Sequence, residues 1–165
     1  MLVRPIHDDE HEAAGDLIVR AFRDLPETEG LDAYEATLRD VAGRIASAEV
    51  LVAADDDDNV LGCVTYVHGP GPLAETDAPD DATIRMLAVE PKAQGRGVGR
   101  ALVDACLARA RDAGVRRVVL RTRRVMIAAH HLYESLGFRR EPSHDEVVPG
   151  EYELLGFVLE LDAGT

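Results

Sequence analysis

Residues 94–99, Gln-Gly-Arg-Gly-Val-Gly, set three glycines at alternate positions among the positive charges of Lys92, Arg96 and Arg100. Glycine admits φ > 0 and lets another molecule approach the backbone closely. The run follows an apolar, strand-like stretch from Ile84 to Val89 and opens a stretch of helical periodicity from Val98 to Ala113. A helix begun there leaves its first N–H groups without intrahelical acceptors, at the positive end of its dipole. Such a place binds phosphate, so residues 94–100 are expected to hold a phosphorylated ligand. A P-loop would end in Gly-Lys-Ser/Thr, but Gly99 is followed by Arg100 and Ala101. A dinucleotide fingerprint spaces its last two glycines three residues apart, and Gly97-Val98-Gly99 brings the last one too early. A bare strand-to-helix turn is the ligand-free alternative.

A second pattern, Ala129-x-x-Leu132-Tyr133-x-x-Leu136-Gly137-Phe138, lies downstream. Ile127/Ala128, Leu132 and Leu136 recur at helical spacing, and Gly137 suits the position that ends a helix. Read from the residues alone, Tyr133 is an amphipathic side chain at a packed helix edge. The first pattern fits Gln/Arg-x-x-Gly-x-Gly/Ala through Gln94, Gly97 and Gly99. Together, in this order, the two patterns resemble the GNAT superfamily of N-acetyltransferases. The resemblance covers about residues 48–161, and residues 1–47 carry no signature.

The resemblance implies an acyl donor, acetyl-coenzyme A, and assigns residues to it. Gln94 would shape the turn, and the amides of Gly95, Arg96, Gly97, Val98, Gly99 and Arg100 would cradle the pyrophosphate. The backbone of Leu87, Ala88 and Val89 would pair with the pantetheine arm, one amide polarising the thioester carbonyl. Tyr133 matches the family tyrosine beside the sulfur. A phenol of pKa about 10 stays protonated at neutral pH and can donate to a thiolate, so its implied role is general acid. The implied reaction is direct attack by a primary amine, of a small molecule or a peptide, in a ternary complex, with no metal. An acyl-coenzyme A-binding regulatory domain with little or no turnover is the alternative, and a ligand-free partner-recognition domain is a remoter one.

The general base stays open. Family members often place a glutamate in the bulged strand, where this chain has Arg85 and Met86. Glu90 lies beyond, next to Pro91, and Asp80, Asp81, His68, Glu153 or a water chain are further candidates. Met126 stands where many members carry asparagine, within the pattern Thr122-x-x-x-Met126-x-x-Ala129-x-x-Leu132-Tyr133. The sequence leaves the amine, the acyl preference and the oligomeric state undetermined, and a homodimer is compatible with it.

Stepwise along the chain, the elements that must position these residues are legible. Leu2–Pro5 reads as a strand, followed by a helix capped by Asp8 or Asp9 and running to about Arg23, with Ala13, Leu17, Ile18, Ala21 and Phe22 on its apolar face. A single helix is expected from about Asp32 to Ser47. Glu49–Ala54 and Val60–His68 read as strands around Asp55-Asp56-Asp57-Asp58-Asn59, which the turn rules make a hairpin connection. These aspartates lack the ligand spacing and glycine of a calcium loop. Gly69–Asp81 is the longest loop, a substrate-side lid by expectation. From Ala82 the apolar phase changes: Ile84 is even-numbered, Leu87 and Val89 odd, so keeping them on one face needs an irregularity, and a β-bulge near Arg85–Met86 is the economical one. Strands at Arg117–Thr122, Phe138–Arg140 and Tyr152–Leu161 complete the chain, with a loop at Glu141–Gly150. The expected fold is α/β and GNAT-like: one domain over residues 1–165, with a mixed, twisted central sheet of about six or seven strands and about four helices.

Composition narrows the partners. The net charge of −13 argues against nucleic acid and anionic membranes as partners. No apolar run approaches spanning length and the N-terminus lacks a signal-peptide core, so cytoplasm is the expected compartment. Cys63 and Cys106 sit in apolar contexts and read as buried free thiols. His7-Asp8-Asp9-Glu10-His11 fits H-x-x-E-H, yet no third ligand is apparent, and a solvated first helical turn is the preferred reading. His130 and His131 are adjacent and point about 100° apart on a helix, so they make no two-ligand face; surface placement is expected for them.

Overall fold

Side-chain parity along the strands decides which helix each face of the sheet meets. The computed structural model describes residues 1–148 and 152–161. β1 (Leu2–Pro5), β2 (Glu49–Ala54), β3 (Val60–His68) and β4 (Asp81–Val89) form a continuous antiparallel run. Val50, Val52 and Cys63 on one face pack with Ala14, Leu17 and Ile18 of α1 (His11–Arg23), Leu38 of α2 (Leu31–Arg39) and Val41 of α3 (Val41–Ile45). Leu51, Ala53, Val64 and Ile84 on the other face pack with Leu102, Val103 and Cys106 of α4 (Val98–Asp112). Period-two alternation in the strands thus feeds two hydrophobic layers.

β4 continues the sheet by pairing in parallel with β5 (Arg117–Arg123), but only from Asp81↔Arg117 to Ile84↔Leu120. After α5 (Ile127–Ser135), the chain adds β6 (Arg139–Arg140), β7 (Glu146–Val148) and β8 (Tyr152–Glu160). β8 runs antiparallel to β5, and β6 and β7 both pair with β8. The main path is β1-β2-β3-β4-β5-β8-β6, a mixed eight-stranded sheet.

The expected fold class holds, with two differences in count. The eighth strand is β7, which occupies part of the expected Glu141–Gly150 loop because Glu146–Val148 finds partners on β8; Pro149 and Gly150 lie outside the described residues. The fifth helix arises because the expected Asp32–Ser47 helix breaks at Asp40, whose backbone leaves helical geometry at ψ 64°. The Asp40 carboxylate accepts the Gly43 N–H at 3.0 Å and caps α3. Buried Arg44 then donates to the Thr37 and Leu38 carbonyls at 2.6 and 2.9 Å, closing the end of α2. On α1, a 3₁₀ turn at Asp8–Glu10 precedes the helix, and its buried face is Ala14, Gly15, Leu17, Ile18 and Val19. Ala13 is exposed, one position off the expected stripe.

The bulge falls where the change of apolar phase requires it. Thr65 pairs with Arg85 and Cys63 with Ala88, so Val64 faces two residues, and Met86 takes φ 52°. Ala82 and Ile84 before the bulge, and Leu87 and Val89 after it, consequently pack on the same core. Pairing of β4 with β5 stops at the same point.

The remaining sequence motifs have local explanations. Asp55 Oδ1 accepts the Asp57 and Asn59 N–H groups at 2.9 and 2.8 Å, as a hairpin turn requires. His7, Glu10 and Asp58 bring ligand-type atoms within 4.8 Å of one another. Arg4 already engages both carboxylates there, donating to Glu10 at 2.8 and 2.9 Å and to Asp58 at 2.8 Å. Cys63 and Cys106 are free and buried, and burial pushes both thiols up to about 12. Neither supplies a thiolate at neutral pH.

Candidate active site

Beyond the bulge, β4 uses one edge for β3, through Cys63↔Ala88 and Gly62↔Val89, and has no β5 partner on the other. That edge leads through a 3₁₀ turn at Pro91–Ala93 into the glycine run. Gly95 and Gly97 take φ 82° and 81°, and a Cβ built on either would meet nothing within 4 Å. The left-handed backbone therefore needs glycine, and the space above it is open. Gly97 caps α4, whose first helical bond is Ala101 N–H to the Gly97 carbonyl at 3.0 Å. The N–H groups of Val98, Gly99 and Arg100 precede it and are left for an external acceptor.

These features line one wall of a cleft of about 690 Å³. Leu87, Ala88, Val89, Gln94, Gly95, Gly97, Val98, Gly99 and Arg100 all belong to it. Arg96 is the exception: its side chain is exposed and turns back to the Lys92 carbonyl at 3.4 Å. Phe22 and Leu25 from the end of α1, and Val125 to Ala129 at the start of α5, form the opposite wall. A long, phosphate-bearing, amide-rich molecule fits this surface: free N–H donors at one end, an unpaired strand edge at the other.

An inner cavity of about 110 Å³ adjoins the cleft, and Phe22, Leu87, Met126 and Ala129 line both. Tyr133 lines the inner cavity, its ring packed against Phe138 and Phe157 at centroid distances of 5.6 and 6.1 Å. Burial raises its phenol above the ordinary value, which keeps the proton on oxygen. The Thr122 hydroxyl lies 3.3 Å from both the Met126 sulfur and the Arg123 carbonyl at the α5 entrance. Arg85, Arg121 and Arg123 supply positive charge to the same walls, with Tyr34 and Tyr152 as aromatic neighbours. The Arg123 guanidinium lies 4.3 Å from the Tyr152 ring centroid.

The sequence profile of the Acetyltransferase (GNAT) family matches residues 12–138. The chain belongs to this family. The mycothiol acetyltransferase of Geodermatophilus obscurus is 36% identical over 122 residues, 73% of this chain and 38% of the relative's own length. The chain thus spans well under half the length of that curated relative. Among solved structures, smu.2055 from Streptococcus mutans superposes with a TM-score of 0.76 at 21% identity, covering 98% of this chain and 100% of that one. The structure of yncA from Salmonella typhimurium with its cofactor acetyl-CoA gives 0.69 at 22% identity, over 98% and 94% of the two chains.

At the bulge, β4 presents Arg85 and Met86 to the inner cavity and no acid. Nor do the acids and histidine considered from sequence reach it. Asp81 is buried in a pair with Arg117 at 2.8 Å, and Glu90 pairs with Arg20 at 2.6 Å. Asp80 and His68 are exposed, and neither they nor Glu153 lines either cavity. His131 is exposed; His130 is half-buried against Phe157 at 5.4 Å, and burial lowers its pKa.

Two acids line the inner cavity: Glu29, exposed in the segment before α2, and Glu75, whose side chain is largely buried, in the Gly69–Asp81 loop. Three ties strap this loop to the sheet. Arg85 donates to the Leu73 carbonyl at 3.0 Å, the Glu75 N–H donates to Thr83 Oγ1 at 3.0 Å, and Thr76 donates to Asp81 at 2.8 Å. The expected lid is therefore a fixed wall along this stretch. Among the described residues no helix is long and apolar enough to cross a membrane.

Proposed function

We propose that this chain is an N-acetyltransferase that moves an acetyl group from acetyl-coenzyme A to a primary amine of a small molecule or peptide, in a ternary complex. The observation that carries the reading is the junction of two cavities at the point where β4 and β5 part. The cleft offers strand edge and helix N-terminus to a long anionic donor, and the adjoining inner cavity offers a separate place for an acceptor. When bound, acetyl-coenzyme A supplies an activated acyl group as a thioester. Val98, Gly99 and Arg100 would bind its pyrophosphate through backbone N–H groups, and Leu87, Ala88 and Val89 would align its arm. Gln94, Gly95 and Gly97 hold the turn, and Arg96 contributes through its backbone. Tyr133 holds the proton for the departing sulfur.

Thermal stabilisation tests the donor site directly. Acetyl-coenzyme A or coenzyme A at 100 times its dissociation constant should add about 2.7 kcal/mol, raising Tm by a few degrees, whereas NAD and ATP should not. No shift with either coenzyme A species overturns the reading. Tyr133→Phe should then lower kcat at least about tenfold in a thiol-release assay while coenzyme A affinity stays unchanged. Binding without transfer to any of a broad amine panel favours a regulatory acyl-coenzyme A-binding domain instead.

A further inference from the structure

Glu75 has no place in either sequence pattern, yet its setting is that of a working acid–base group. Its side chain is 12% exposed, and Oε2 is fully buried without a hydrogen-bond partner. Its nearest cation, Arg85 Nε, stands 3.9 Å from the other oxygen, beyond hydrogen-bonding distance. Meanwhile the backbone of the same residue is fixed to Thr83 at 3.0 Å, so the carboxyl is carried on a strapped segment. A buried, unpaired carboxylate oxygen is costly and calls for an explanation, and in a cavity wall a catalytic role supplies one. Glu75 shares the inner cavity with Tyr133, the proton donor proposed above.

We propose that Glu75 is the general base that takes a proton from the acceptor amine. This deepens the proposed function and rests on it. The acceptor enters as an ammonium ion and gives one proton to Glu75, which passes it to water along the exposed part of its side chain. The nitrogen lone pair forms the bond to the thioester carbonyl carbon, and the carbon–sulfur bond breaks with its electron pair on sulfur. Sulfur receives the Tyr133 hydroxyl proton, and Tyr133 recovers one from the nitrogen. The products are an amide, a thiol and one proton released.

The electrostatic surroundings suit the role. Desolvation pushes the Glu75 carboxyl up to about 7, against the opposing pull of Arg85 on β4 and Arg121 on β5 and with a smaller push from Glu146 on β7. Tyr133 on α5 faces it as a neutral phenol. A base poised near operating pH is the effective one.

The experiment compares wild type with Glu75→Gln in two readouts. In acetyl transfer, E75Q should lose at least about 100-fold in kcat. Its coenzyme A affinity should stay within about twofold, and the acid limb of its pH profile should disappear. In the infrared difference spectrum of the ligand-free proteins, wild type should show one carboxyl titrating near neutral pH that E75Q lacks. Turnover in E75Q within about threefold of wild type, with the acid limb retained, overturns the base role alone. So does a difference spectrum with no carboxyl titrating near neutrality, whatever the fate of the variant's folding. A wild type that transfers acetyl to no amine overturns the proposed function and the base role together.

Discussion

Glu10 and Glu75 have the same side-chain exposure, 12%, yet the protein holds them at opposite ends of their titration. Glu10 lies near the surface beside Arg4, and Glu75 lies deeper in the cavity wall. At Glu10 the paired N–H groups of Arg4 dominate and hold the carboxyl down at about 2. At Glu75 desolvation dominates, and Arg85 stands too far off to offset it. The comparison teaches that accessible area alone does not set a pKa. What counts is whether a carboxylate that loses water gains donors in exchange. The Arg4 cluster joins β1, the turn before α1 and the β2–β3 hairpin, whereas Glu75 Oε2 is buried with no hydrogen-bond partner among the described residues.

Turnover separates the two sites most sharply. Measured side by side, Glu10→Gln should keep kcat within about twofold of wild type while Glu75→Gln loses about 100-fold. Equal losses would dissolve the contrast.

Stability against pH should separate them next, with opposite signs. Glu75 has a folded pKa above its ordinary 4.5, so the native state holds the extra proton and stability falls as pH rises from about 4.5 through 7. Glu75→Gln should therefore raise Tm by roughly a few degrees at pH 8 and leave it unchanged at pH 4. Glu10 has a lowered folded pKa, so its contribution is complete above the ordinary carboxylate range and is lost as pH falls through about 2. Arg4→Gln should lower Tm at pH 7, by a few degrees at most because the pair lies near the surface, and the difference should close toward pH 2. Scanning calorimetry across pH reads both.

The smallest effect concerns the distant cation. Arg85→Gln removes an opposing positive charge and a strap on Leu73, and should move the acid limb of the pH profile upward by about one unit. A limb that stays in place would show that Arg85 holds the loop without tuning the acid.

Much of this site is legible in the sequence because local rules dictate it. The glycine run needs positive φ at Gly95 and Gly97, and the parity jump between Ile84 and Leu87 requires the bulge whatever surrounds it. Glu75 is not legible. It is one of several acids in a loop without periodicity, and its depth is set by Thr83 and Arg85 reaching it from β4. Arg85 itself looks from sequence like the loss of an acid from the strand; in the structure it is what ties the acid-bearing loop down. The break at Asp40 is of the same kind, since a buried arginine several residues on closes the helix end.

The four-pair parallel ladder between Asp81–Ile84 and Arg117–Leu120 has one more consequence. An unpaired strand edge normally invites another chain, and proteins blunt such edges on their perimeter. Here the vacant edge at Leu87–Val89 lies in the middle of the sheet, recessed between α1 and α5. Neighbouring strands stand about 4.8 Å apart, so a guest pairing with this edge would have to be an extended, amide-bearing chain. The fold thereby keeps an adhesive edge off its perimeter, where another chain would otherwise add to it.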